Sequence, residues 1–216
     1  MFLTPTDIQS IEARVAALEK DLGVEVVTMV VAKSDTYPET VWKAFALGAS
    51  LSALLVTAGD ILRPDWITTA TVLFSVLAIL GVGVVCAIAD IYVPAVTRLF
   101  IRESRKTLEA TQHAKAQFLE RELFATAQRT AVLMLVSVLE QRVVILADKG
   151  VNRRVTTAEW DGVISRMTPR LRAGATGDAI LAGLAAIGEL VAGKGIARGG
   201  GNMFSDAPIE TDGATR

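Results

Sequence analysis

Two apolar stretches without a charged side chain, Ala44–Gly59 and Trp66–Ala89, interrupt a chain whose other segments mix apolar and charged positions. A helix rises about 1.5 Å per residue, so roughly 20 residues cross a hydrocarbon core of about 30 Å. Trp42–Leu62 reaches that length if Lys43 and Asp60 extend toward the head groups, and Ile67–Ala89 reaches it unaided. Arg63, Pro64 and Asp65 leave room between them only for a turn. The pattern predicts a transmembrane helical hairpin. The competing reading is a pair of buried core helices. Globular helices average about 11 to 12 residues and keep a polar face. No polar stripe runs through Val72–Ala89, while the first run carries Ser50, Ser52 and Thr57.

The flanking segments show shorter periods. Thr4-Pro5-Thr6-Asp7 reads as a helix start, and Ile8, Ile11, Val15, Leu18 and Leu22 then recur at spacings of three and four up to Gly23. Val24–Val31 is rich in β-branched residues and suits a strand buried on both faces, ended by the turn Ser34–Pro38. After the hairpin, Arg98–Thr126 predicts one long helix. Thr130–Val138 and Val143–Ala147 predict two strands paired through Leu139–Arg142. Thr156 or Thr157 can cap a helix containing Trp160, Val163, Ile164 and Met167. Thr176 can cap another with Ile180, Leu184, Ile187 and Val191 on one face. From Gly193 the chain turns glycine-rich and polar, which predicts a flexible tail.

A lone first strand would leave its backbone groups without partners, and the strands after the hairpin are the nearest candidates. The expected fold is therefore a small α/β/α sandwich interrupted by a two-helix transmembrane hairpin. Residues 1–38 supply its first helix and strand, 39–97 the hairpin, 98–194 the remainder, and 195–216 the tail. A mean hydropathy of +0.44 and 51% hydrophobic residues fit a membrane segment, while the 21% charged residues require a part that folds in water. The net charge of −1 argues against a nucleic-acid partner. Cys86 is the only cysteine and lies within the second run, so no intrachain disulfide forms. Lys33 and Lys43 precede the hairpin, and Arg98, Arg102, Arg105 and Lys106 follow it, against Arg63 alone in the turn. The positive-inside rule then puts both termini in the cytoplasm of a bacterial inner (plasma) membrane protein with two crossings. Met1–Asp7 lacks a basic start, so the first hairpin helix is expected to serve as targeting signal.

Several segments resemble the TPM-domain family, in the branch whose domain is interrupted by a transmembrane hairpin. They are Leu22–Val27, Ser34–Tyr37, Arg129–Leu133, Val136–Glu140, Ala147–Val151 with Trp160, and Asn202–Pro208. The resemblance departs where Ala131 replaces a strand glycine and where Met203-Phe204-Ser205 replaces Glu-Leu-Pro in the tail. It implies an α/β/α sandwich. Some secreted or lumenal members of the family are linked to calcium binding, weak phosphatase activity and maintenance of photosynthetic complexes. Those members lie outside the cytoplasm, unlike the topology expected here.

Asp35, Tyr37 and Asp148 form the candidate binding cluster. Asp35 follows the first strand and Asp148 the third, so a parallel arrangement of these strands would bring both acids to one sheet edge as Ca²⁺ or Mg²⁺ ligands. The alternative is that both are turn residues bonding local backbone. His113 is expected on a solvated helix surface, without the neighbours a zinc site needs. Ser137 and Ser165 show no base nearby in sequence. The glycine runs at Gly193–Gly195 and Gly199–Gly201 follow a helix, unlike a phosphate loop. Asp90, beside Tyr92 and Pro94, is expected at the membrane interface. Gly48, Ser52, Gly59, Gly81 and Gly83 allow close helix packing within the hairpin or between copies. These features predict a non-enzymatic scaffold or interaction module without a cofactor. Its expected partners are the lipid bilayer and further copies or other membrane proteins. The alternative is a divalent-metal-dependent hydrolase or phosphatase using Asp35 and Asp148.

Overall fold

The computed structural model describes residues 2–63, 68–196 and 203–214. The expected turn residues Pro64 and Asp65, the start of the second run at Trp66 and Ile67, and Asn202 of the tail lie outside the described residues. Two compact units emerge: 1–36 with 104–216, and 37–103.

The first unit is built on a four-stranded sheet of order β3-β2-β1-β4. β1 (Glu25–Lys33) runs parallel to β2 (Ala131–Ser137), with Glu25 opposite Ala131 and Val31 opposite Ser137. β3 (Arg142–Ala147) returns antiparallel to β2, turning at Gln141, whose φ of 52° is left-handed. β4 (Ile209–Gly213) pairs parallel with the other side of β1. A flexible tail was the expectation for this segment. The structure corrects it, because β1 without β4 would be a long apolar edge with unpaired backbone groups.

Alternation along the strands sends side chains to two cores. Val26, Val30, Val132, Met134 and Val136 pack on one side with Ile11, Val15 and Leu18 of α1 (Pro5–Leu22) and with residues of the two C-terminal helices. On the other side Val27, Met29, Val31, Leu133 and Leu135 meet Ala114 and Phe118 of the helix Glu103–Glu120 and Leu123 of a 3₁₀ turn. Helices cover both faces, so the unit is an α/β/α sandwich. This explains why β1 and β2 read as unbroken apolar runs: neither face meets water. Thr4 and Asp7 form the capping box that starts α1, and Gly23 closes it at φ 66°.

The second unit contains α2 (Pro38–Leu62), α3 (Thr69–Tyr92) and the short α4 (Pro94–Phe100). Thr40, Ala44, Gly48 and Ser52, four residues apart, are the buried positions of α2. A Cβ at Gly48 would lie 2.6 Å from Cys86 Sγ, and one at Gly83 would lie 2.8 Å from the Phe45 ring. Only glycine lets α2 and α3 approach this closely. α2 and α3 are long and apolar enough to cross a membrane, and only 6% of each apolar window is buried.

The single long helix expected over Arg98–Thr126 is two helices. α4 stops where Ile101 turns to extended backbone (ψ 124°), and α5 (Glu103–Glu120) begins two residues later. Beyond β3 the chain forms α6 (Lys149–Asn152), α7 (Thr157–Arg172) and α8 (Thr176–Ala192). Thr156 caps α7 through Glu159, whereas Thr176 is the first residue of α8 rather than its cap.

Candidate functional site

The pairing directions decide the fate of Asp35 and Asp148. β3 runs antiparallel to β2 and therefore to β1, so the residue after β3 returns to the end of the sheet where β1 begins. Asp148 N–H accordingly donates to Ala131 O at 2.9 Å, and Ala131 stands opposite Glu25. Asp35 lies past the far end of β1, about 26 Å away along that strand alone at ~3.3 Å per residue. The two acids do not meet. The expected shared edge required parallel strands, and β2 intervenes with the opposite sense toward β3.

Each acid instead holds an arginine. Asp148 is 5% exposed and forms a two-pronged pair with Arg129, Nε to Oδ2 at 2.7 Å and Nη2 to Oδ1 at 3.1 Å. It also caps α6 by accepting from Lys149 N–H at 2.7 Å. Arg129 adopts a left-handed backbone (φ 56°), lies 5.7 Å from the Phe124 ring centroid, and accepts Gly150 N–H at 2.8 Å. A Cβ on Gly150 would come within 2.6 Å of the Gln128 and Arg129 carbonyl oxygens, so the approach of these two loops requires glycine. Asp35 accepts Arg105 Nη2 at 2.9 Å and Thr36 N–H at 2.7 Å, the local backbone bond of a turn residue. Tyr37 belongs to the second unit, where it precedes α2 with φ 45° and makes no side-chain capping bond.

More acid gathers at the Asp148 end of the sheet. Glu25, 7% exposed, receives the N–H groups of Met203 and Phe204 on Oε1, both at 2.7 Å, and so ties the C-terminal segment to the start of β1. Glu19 Oε1 accepts Val26 N–H at 3.0 Å. Burial pushes the Glu19 carboxyl up to about 7, opposed by the Val26 N–H and reinforced by the negative charges of Glu25 and Asp206.

The opposite end carries a buried polar knot. Glu140, 2% exposed, accepts Ser34 N–H on Oε1 at 2.8 Å and the Ser137 hydroxyl on Oε2, and the Ser34 and Ser137 hydroxyls are 2.8 Å apart. Ser137 therefore does have an acid partner, three residues along in the β2–β3 turn. Its hydroxyl is fully enclosed and joins the ends of β1 and β2 rather than meeting a substrate. His113 on α5 is half-buried; burial holds its imidazole below the ordinary value, while Glu140 and Glu120 pull the other way. A solvated surface position was the expectation for this histidine; it is half-buried instead.

Arg129, Glu25 and Asp148 all fall within the quoted resemblance segments, but their contacts do not follow from spacing: the pairing of β1 with β2 assembles them. Among the described residues no group of three or more His, Cys, Asp or Glu side chains is arranged to hold a metal ion.

The TPM domain family model matches residues 89–190 of this chain. Among solved structures, the NMR structure of the BA42 protein from the psychrophilic bacterium Bizionia argentinensis aligns with a TM-score of 0.57 and 14% identity, over 98% of this chain and 97% of that one. No curated protein matches. The matched stretch runs from the last turn of α3 to the last turn of α8 and contains β2, β3, Arg129 and Asp148. The match to the TPM domain family over residues 89–190 thus falls on a mixed α/β fold with a four-stranded sheet.

Proposed function

We propose that α2 and α3 span a membrane as a hairpin and anchor the TPM-like unit beside it as a non-enzymatic interaction module. The observation that carries this reading is the outward display of apolar side chains along both helices. Leu54, Leu55, Leu73 and Phe74 are each more than 60% exposed. In water such a continuous apolar surface would be strongly unfavourable, and in lipid it is solvated. The basic residues before and after the hairpin favour a cytoplasmic location for both flanks. The pairing of Asp35 and Asp148 with separate arginines supports a binding rather than a metal-hydrolytic role, since these carboxylates already have cationic partners. Lipid and further copies of the chain are the partners this reading implies.

Two measurements test it. In a Cys86→Ala background, His113→Cys should react with an impermeant thiol reagent only after the cytoplasmic side is opened, and Arg63→Cys should react from outside. Recovery of the chain in the aqueous fraction after alkaline extraction, or external labelling at position 113, removes the anchor reading. Turnover of a phosphate ester that depends on Ca²⁺ or Mg²⁺ and is lost in Asp148→Asn would replace the interaction module with the hydrolase.

A further inference from the structure

The hairpin unit holds a buried acid that the anchoring role does not use. Asp90, in the last turn of α3, is 3% exposed. Thr40 of α2 places its Oγ1 2.8 Å from Asp90 Oδ2 and 2.9 Å from the carbonyl oxygen of Tyr37. The Tyr37 carbonyl also accepts the Thr40 N–H at 3.1 Å, so the single hydroxyl proton can go to Asp90 Oδ2. Among the described residues no donor reaches Asp90 Oδ1 and no cationic side chain pairs with this carboxylate. Thr97 of α4 binds only the Asp90 backbone carbonyl, at 2.7 Å. The Asp90 carboxylate, the Thr40 hydroxyl and the Tyr37 carbonyl thus converge in a place closed to bulk water, with Asp90 Oδ1 left without a donor.

The helix ends do not supply the missing positive charge. α2 begins at Pro38 and α3 ends at Tyr92. Their opposite half-charges meet near Thr40 and Asp90 and offset one another. The last turn of α3 also has no basic residue. A buried carboxylate left in this state is strongly unfavourable unless a cation or a proton joins it.

We propose that the Asp90 carboxylate, Thr40 Oγ1 and the Tyr37 carbonyl form a binding site for a monovalent metal cation of sodium size. One carboxylate balances one positive charge, whereas divalent sites draw on more acids. Backbone carbonyls next to helix ends are ligands of the kind that hold Na⁺ in membrane proteins. The ion takes up Oδ1 and ties the first turn of α2 to the last turn of α3. The inference concerns packing inside the hairpin unit and does not depend on the topology proposed above.

The test is thermal unfolding of the full chain in neutral detergent micelles, in chloride salts of Na⁺, K⁺, Li⁺, choline, Mg²⁺ and Ca²⁺ at constant ionic strength. The expected result is a saturable rise of the midpoint with Na⁺ and none with choline. Asp90→Asn should abolish the rise, and Thr40→Val, which keeps the carboxylate, should move half-saturation to higher Na⁺. Equal midpoints in Na⁺ and choline for the unsubstituted chain overturn the proposal. So does a rise retained unchanged in Thr40→Val, or a response confined to Mg²⁺ and Ca²⁺. Should Asp90→Asn fail to fold, the Thr40→Val titration decides by itself.

Discussion

Glu19 links the stability of the TPM-like unit to pH in a direction opposite to that of most carboxylates. It lies near the end of α1 and is held at about 7 against an ordinary 4.5, chiefly by burial. Between those values the folded chain keeps a proton on Glu19 that the unfolded chain has released. Its contribution to stability is complete below pH 4.5, declines as pH rises, and is gone above about pH 7. The whole rise would correspond to at most ~3 kcal/mol. Glu19 is only partly buried, and solvent screening brings this to ~1–2 kcal/mol. Glu19→Gln keeps an oxygen to accept from Val26 N–H and removes the titration. The variant should match the unsubstituted chain at pH ~4 and exceed it by ~1–2 kcal/mol at pH ~8. His113 works in the other sense, because burial favours its neutral form and the stability it withholds at acid pH returns as pH rises toward 6.5. The difference between the two proteins cancels His113 and isolates Glu19. Urea unfolding followed by circular dichroism across this pH interval measures it, and parallel stability curves for the two proteins would refute the reasoning.

Three further outcomes are expected. Asp148→Asn breaks the two-pronged bond to Arg129 and should cost ~1–3 kcal/mol in thermal melts, equally with and without calcium; a loss seen only with calcium present would reveal a bound ion there. Truncation after Asn202 removes β4 and both N–H donors to buried Glu25, so light scattering should show concentration-dependent association through the exposed β1 edge; a monodisperse, equally stable product would show that the strap is dispensable. Replacing residues 37–103 by a short flexible linker should leave a water-soluble fold with protected β1 and β2 amides by hydrogen exchange. The junction is short, since Asp35 and Arg105 are joined at 2.9 Å, and an unprotected β1 would make the hairpin part of the fold.

How much of this was legible in the chain varied with the range of the interaction. Helix and strand identity was largely local: the apolar period of α1, the capping box at Thr4 and the β-branched run of β1 each announce themselves within a few residues. The errors were local too where a competing signal was weak. One periodic stretch concealed the break at Ile101, and a glycine-rich lead-in concealed β4, whose extended form comes from pairing with β1 rather than from its own propensity.

The candidate site was harder to read because strand direction is not written in strand composition. Sequence alone determined that two apolar helices interrupt an α/β domain, since length and hydrophobic period are additive properties of neighbouring residues. The antiparallel return of β3 was decided by tertiary structure. It separated Asp148 from Asp35 and brought Asp148 to the end of the sheet where Glu19, Glu25 and the C-terminal strap meet. Such contacts join residues up to about 180 positions apart, as Glu25 and Phe204 are. They arise only once burial of both sheet faces has selected one register, because a slip of one residue would turn every apolar side chain of β1 to the wrong core.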